Sequence, residues 1–331
     1  MKIFLFNPDQ YQDYLADLIN YHLIQSEHNI STNFLPEFLF DSVSNKEGLY
    51  GKGFTVYGKI DKKHKDKVKV ISKNKLFEVL NDEYFDLVIF TSIRRTYDNQ
   101  NIQEEYFDKI SQVVDRSKLK VVDGEDDNII LNDVAKKVQY FKRELLSSDS
   151  NLATPISFSF PEYFDNHKNY DITKKTNLLA PMDPRFLNSY IFDEEGYYSQ
   201  YSNSIFAVTT QKNGWDCMRH YEILASGCLP YFPGINDKPK TIMQDYPVKL
   251  QIEVNQLFEK LLMSPHNIDS EYNFARSTKS KQVNRVLKKM SSKRLLENNL
   301  KKLQNYNNEF GEWLSRYGKS NIYSKIFDLK N

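Results

Sequence analysis

The chain has 331 residues, and its 45 Lys and Arg against 44 Asp and Glu leave a formal charge of +1. That length suits two ordinary domains of about 150 residues each. The near-balance of charge argues against adhesion to nucleic acid or anionic lipid over the whole surface, while leaving room for a local basic groove. Its two cysteines, Cys217 and Cys228, lack metal-ligand spacing. A disulfide scaffold or structural zinc site is therefore not expected, and a reducing cytosol is. No apolar run approaches the roughly 20 residues of a membrane span. In "MKIFLFNPDQYQDYL" the Asn-Pro-Asp step ends the apolar run too early for a signal peptide. The expected location is cytoplasmic.

In chain order, Lys2 to Phe6 reads as a short buried strand, followed by a helical pattern with Tyr14, Leu15, Leu18, Ile19 and Leu23 on one side. "KVKVI" (67–71) is a candidate strand and "LFEVL" the start of a helix. "FDLVIFTSI" (85–93) is a continuous apolar strand of the kind found in parallel sheets, and "KLKVVDGEDD" contains another. The polar "NHKNYDITKK" (166–175) reads as a linker or a surface loop. After it the pattern restarts. "TNLLAPMD", "IFAVTTQ" and "LPYF" read as strands, and "GYYSQYSNS", "CMRHYEILAS" and "QIEVNQLFEKLLM" as helices. The remainder is helical and charged. Strands alternating with helices predict α/β architecture with parallel sheets, here in two units.

Ligands of such sheets sit outside the carboxyl ends of the strands. That rule selects the loops 7–12, 91–96, 124–128, 182–185, 212–216 and 233–237. Their ionisable residues include Asp9, Arg94, Arg95, Glu125, Asp126, Asp183, Arg185, Lys212 and Asp216. The richest stretch is "NGWDCMRHYEILASGCLPYFPG" (213–234). Asn213-Gly214 is expected to turn the chain through the positive φ that glycine allows. Trp215 follows, and Asp216 is expected to cap a helix starting at Cys217. The first turn of that helix, with Arg219, makes an anion site. Glu222, three residues on, shares a face with Arg219 and suits sugar hydroxyls. The alternative is an Arg219–Glu222 ion pair on a solvated face. His220 is out of phase with both and reads as a buried supporting residue more readily than a catalytic one.

"WDCMRHYEILASGCLPYFPG" resembles the donor-binding helix of GT-B glycosyltransferases, especially the exostosin-like type and related bacterial enzymes. The likeness lies in the Arg, the Glu three residues later and the small-Gly-Cys-aliphatic-Pro run. "YQDYLADLINYHL", "GLYGKGFTVYG", "DLVIFTSIR", "VVDGEDD", "YFKREL" and "PISFSFPE" are weaker likenesses in the same order. The resemblance implies two Rossmann-like domains facing each other across a cleft. Residues 1–165 would bind the acceptor and 176–290 the nucleotide sugar, with the helices of 291–331 packing back on the first domain. For that tail, anchored by Leu300, Leu303, Phe310, Trp313 and Leu314, docking is preferred to a membrane-surface role.

The implied donor is a nucleotide-diphosphate sugar, the acceptor a glycan or polymer, and no metal or other cofactor is implied. The implied donor site comprises Asn213, Gly214, Trp215, Asp216, Arg219, His220 and Glu222. Arg219 would neutralise the leaving diphosphate, assisted by Arg185 or Lys212. A base for an inverting reaction would come from Asp9, Asp13 or Glu125. Many retaining members carry a second Glu at the position of Gly214, so the stereochemistry stays open. The rival readings are a non-catalytic nucleotide-sugar-binding protein, a sugar-nucleotide epimerase or hydrolase, and a DNA-modifying glycosyltransferase. The last, less favoured, needs a basic groove built from Lys52, Lys59, Lys62, Lys63, Arg94 and Arg95.

Overall fold

A computed structural model describes residues 1–8, 12–42, 56–82, 85–94, 102–161, 171–185, 193–262, 293–318 and 325–327. The first half builds a seven-stranded, all-parallel sheet from β1 (Lys2–Phe6), β2 (Asn29–Thr32), β3 (Val68–Val70), β4 (Leu87–Phe90), β5 (Leu119–Asp123), β6 (Gln139–Lys142) and β7 (Thr154–Pro155). The strand order is β3-β2-β1-β4-β5-β6-β7. Helices α1 (Tyr14–Ile24), α2 (Leu76–Asp82), α3 (Ile102–Val113) and α4 (Asn132–Ala135) join the strands. The order reverses between β1 and β4, and this switch point opens a crevice at the carboxyl edge of a Rossmann-like sheet.

Side-chain alternation explains the burial of both faces. Ile3, Leu5, Leu87, Ile89, Val122 and Phe141 join one core with Leu15, Leu18 and Ile19 of α1. Phe4, Phe6, Val88, Phe90, Val121 and Tyr140 face the other, with Leu76 and Leu80 of α2 and Phe107 and Ile110 of α3. A strand covered on both faces has no polar side to present, hence the continuous apolar runs. Strands β2, β6 and β7 and helices α3 and α4 are absent from the sequence expectations. β2 is the polar "NIST", and β6 is "QYFK" with a buried terminal lysine.

The second half forms a three-stranded parallel sheet, β10-β9-β8, from β8 (Asn177–Leu179), β9 (Ser204–Val208) and β10 (Leu229–Tyr231). Helices α5 (Glu194–Ser202), α6 (Met218–Ala225) and α7 (Val248–Leu262) alternate with them. Phe206 and Leu229 pack with Val254, Leu257 and Phe258 of α7 in the same core cluster that holds Ile3 and Leu5 of β1. Ala207 and Cys228 pack with Tyr197 and Tyr201 of α5 on the other face.

The long helix α8 (Lys293–Trp313) buries Leu303, Tyr306 and Phe310 in the shared core. Its Trp313 indole donates to the Asp245 carbonyl, and the ring lies near Tyr221 of α6. The last described residues reach the first sheet: Lys325 donates to the Pro155 carbonyl at 3.0 Å, and the Ile326 carbonyl accepts from Lys120. Within the polar segment 166–175 only residues from 171 onward are described, and there Ile172 is buried. Among the described residues, no helix is long and apolar enough to cross a membrane.

Helix α6 ends through Gly227, whose φ of 64° is left-handed. The Gly227 N–H donates to Leu224 O and the Cys228 N–H to Ile223 O, closing the last turn. A Cβ at this φ is strained. Gly227→Ala is expected to cost about 1 kcal/mol, read as a lower urea midpoint with an unchanged slope.

Candidate functional site

The loops at the carboxyl edge of the seven-stranded sheet enclose a cleft of about 750 Å³. Its walls carry Asp13 and Tyr14 after β1, Glu125, Asp126 and Asp127 after β5, Arg143 after β6, and Asn213 from the turn after β9. Asp9 and Arg95 lie outside the described residues. Asp13 caps α1. Its Oδ1 accepts the N–H groups of Leu15 and Ala16 at 3.0 and 3.1 Å, and its Oδ2 accepts the Ser92 hydroxyl at 2.9 Å. Glu125 lines the cleft, with its N–H donating to Asp123 Oδ1.

Behind this acidic loop lies a buried charge cluster. Asp123 accepts from the Tyr140 hydroxyl at 2.6 Å and from Lys142 Nζ at 3.0 Å. Lys142 is wholly buried, and burial lowers its pKa despite the neighbouring Asp123. Arg94 forks onto both Asp127 oxygens and donates to the Ile129 carbonyl. The Arg94 hydrogen bond brings the Asp127 carboxyl down to about 2. Arg94, in the loop after β4, thus pairs with the acidic loop after the neighbouring strand β5. Of the other groove candidates, Lys59 pairs with Glu194 at 2.9 Å and Lys63 with Asp61 at 2.7 Å, while Lys52 lies outside the described residues.

The turn from Lys212 to Cys217 departs from expectation in two respects. Asp216 does not cap the helix. Cys217 occupies the cap position of α6 without a side-chain cap bond. Asp216 instead accepts the Phe158 N–H at 2.8 Å and the Tyr221 hydroxyl at 3.0 Å. Nor does Gly214 have a positive φ; among described glycines those are Gly58, Gly227 and Gly234. Gly214 is needed because a Cβ there would lie 2.7 Å from Glu144 Oε1. The Glu144 carboxylate in turn accepts the Trp215 and Asp216 N–H groups at 3.0 and 2.9 Å.

Helix α6 is buried along its whole length, which rules out a solvated Arg219–Glu222 face. Lys212 is exposed as a residue, and partial burial of its ammonium and then the Arg219 charge lower its pKa. Both oxygens of Glu222 accept tyrosine hydroxyls of α5, Oε2 from Tyr197 at 2.7 Å and Oε1 from Tyr198 at 3.2 Å. A sugar hydroxyl at Glu222 would share it with these rings. His220 is an internal strut. Its Nε2 meets the Trp215 carbonyl at 2.8 Å and so carries the proton, leaving Nδ1 to accept from the Thr209 hydroxyl at 2.8 Å. Its ring stacks on Phe232 at 4.5 Å. Arg185 clasps Asp183 through its Nε and Nη2.

The fold therefore brings Asp13, Glu125 and Asn213 to one cleft, with Gly214, Trp215 and Asp216 beside it and Lys212 near Arg219. It turns Glu222 and His220 toward internal partners. Sequence reasoning missed Arg143 and Glu144. Their signal was the "KRE" directly after the apolar Tyr140-Phe141 of a strand. No family model matches the chain, and neither does any curated protein or solved structure.

Two buried groups set the acid response. Burial raises the Asp216 carboxyl from 3.8 to about 6, and lowers the His220 imidazole from 6.5 to about 3. Between about pH 4 and pH 6, unfolding releases a proton at Asp216 and takes one up at His220, so the two contributions oppose each other. In Asp216→Asn the His220 contribution is no longer opposed by Asp216. The variant is expected to lose stability from pH 6 to pH 4 more steeply than wild type, by about 1.4 kcal/mol per pH unit. Urea denaturation across that window checks it; equal slopes would contradict it.

Proposed function

We propose that the protein is a glycosyltransferase that moves a sugar from a nucleotide-diphosphate sugar to a glycan or polymer acceptor. The turn and helix after β9 would hold the donor, and the cleft at the carboxyl edge of the larger sheet would hold the acceptor. One observation carries this reading: the loop following β9 meets the carboxyl-edge cleft of the other sheet, with Asn213 in the cleft wall. Each edge is where an α/β sheet binds ligands. Two such edges side by side suit a reaction that must hold two substrates in contact. This is also what favours a two-domain GT-B arrangement.

Lys212 and Arg219 supply adjacent positive charge for a diphosphate, whose developing charge such groups stabilise as it leaves. Glu125 and Asp13, both in the cleft wall, are the candidate bases for an inverting path. The two unpaired thiols, Cys217 and Cys228, suit a reducing compartment, so we assign the activity to the cytoplasm. A non-catalytic nucleotide-sugar-binding protein is the second reading. The internal engagement of Asp13, Asp126 and Asp127 favours it, and it predicts donor binding without turnover.

A thermal-shift screen of nucleotide sugars, followed by turnover assays with glycan acceptors, separates these readings. Arg219→Ala and Lys212→Ala are each expected to weaken nucleoside-diphosphate binding by about 1–3 kcal/mol, measured calorimetrically. Unchanged affinity in both would remove the donor site from this turn.

A further inference from the structure

The cleft and the turn after β9 are joined by a reciprocal exchange of carboxylates for backbone N–H groups. From the larger sheet, Glu144 takes the N–H groups of Trp215 and Asp216, residues 71 and 72 positions away in the chain. From the turn, Asp216 takes the N–H of Phe158. Arg143 lies between them. It donates to Glu144 Oε1 at 3.0 Å, to the Asp216 carbonyl, to Asp126, and through Nε to the Gly124 carbonyl at 3.0 Å. Its guanidinium sits 4.8 Å from the centre of the Phe158 ring.

A buried carboxylate that needed only charge compensation would have it in Arg143. Glu144 does more, spending both oxygens on the backbone of one turn. The chain accommodates this by placing a residue without a side chain at 214. The turn is also tied to α6, where His220 Nε2 donates to the Trp215 carbonyl and the Tyr221 hydroxyl to Asp216 Oδ1. Its cap residue Cys217 makes no side-chain bond to the helix N–H groups. Within the turn, Gly214 O accepts the Lys212 N–H at 3.1 Å and the Cys217 thiol at 3.6 Å.

We propose that Glu144 is a positioning residue, whose carboxylate fixes the backbone of residues 214–216 and so sets where Lys212 and Arg219 stand relative to the cleft. The role in ligand binding rests on the reading of this turn as the diphosphate site. The fixing of the backbone does not, and can be measured by itself.

Cys217 reports on the turn. It is half-buried, and burial raises its thiol to about 11, whereas Cys228, the other cysteine, is wholly buried. Labelling with a neutral maleimide at about pH 8 should be slow in wild type. In Glu144→Ala, and equally in Gly214→Ala, where the new Cβ displaces the carboxylate, Cys217 should label about tenfold faster or more, with Cys228 unlabelled by intact mass. Glu144→Gln should fall between, because an amide oxygen replaces only one of the two acceptors. Wild-type rates in all three variants would overturn the proposal. So would labelling of Cys228 in step with Cys217, which marks opening of the whole chain.

Calorimetry with pyrophosphate and with nucleoside diphosphates supplies the second readout. If wild type binds, Glu144→Ala should bind about tenfold more weakly at a temperature where it is folded. Equal or tighter binding by the variant overturns the positioning role while leaving the diphosphate reading intact. A wild type that binds none of them removes that reading, and the thiol rates then decide the fixing of the turn alone.

Discussion

One guanidinium holds the two sheets in register. Arg143 stands where the seven-stranded sheet meets the turn after β9, and Glu144, Asp126, the Gly124 carbonyl and the Asp216 carbonyl all accept its hydrogens. A guanidinium offers five donors in a fixed plane, so one side chain can serve several acceptors at once. Lysine could neutralise the same charge without fixing the same geometry. Burying an ion costs several kcal/mol unless it is paired and fully bonded. The surrounding carboxylates and carbonyls are therefore the condition on which Arg143 can lie inside the protein. Burial of Asp216, Glu144 and Phe158 follows from that arrangement, as does the need for glycine at 214.

A second cluster, behind the acidic loop, works by the same logic. Lys142 and Arg94 draw Asp123 and Asp127 inward, so residues 123–127 form a shaped wall rather than a loose acidic turn. Successive residues at the end of β6 thus serve different ends. Lys142 points to the acidic loop and Arg143 and Glu144 to the other sheet. The carboxyl end of a parallel strand is where such divergent neighbours can all be useful, since side chains there leave the sheet in different directions.

The elements legible in the sequence were those with apolar runs or alternation, including β3 and β8, which are only partly buried. β1 and β4 present apolar residues to both faces, and α6 sits between the apolar strands β9 and β10. β2 escaped notice because "NIST" is polar, although Ser31 and Thr32 are buried by neighbouring strands. β6 escaped because a lysine and an arginine at its end look like surface. Of the three glycines of the 213–234 stretch, Gly214, expected to supply a positive φ, is there for close approach, and the left-handed φ belongs to Gly227 and Gly234. Local spacing shows that a glycine is needed, while only the fold shows what lies against it. The candidate site was legible to the same degree. Asn213, Lys212 and Arg219 follow from a strand–turn–helix pattern. Glu144 lies seventy residues from Gly214, and no short-range pattern connects them.

The largest apolar cluster runs without a break from Ile3 and Leu5 beneath the first sheet to Phe206 and Leu229 beneath the second, with Leu303 and Phe310 of the long helix in the same mass. Swinging the two halves apart would tear apolar surface open to water. A hinge is therefore a poor way for this molecule to admit a ligand. The two halves behave as one body, with the cleft formed by side chains on its surface.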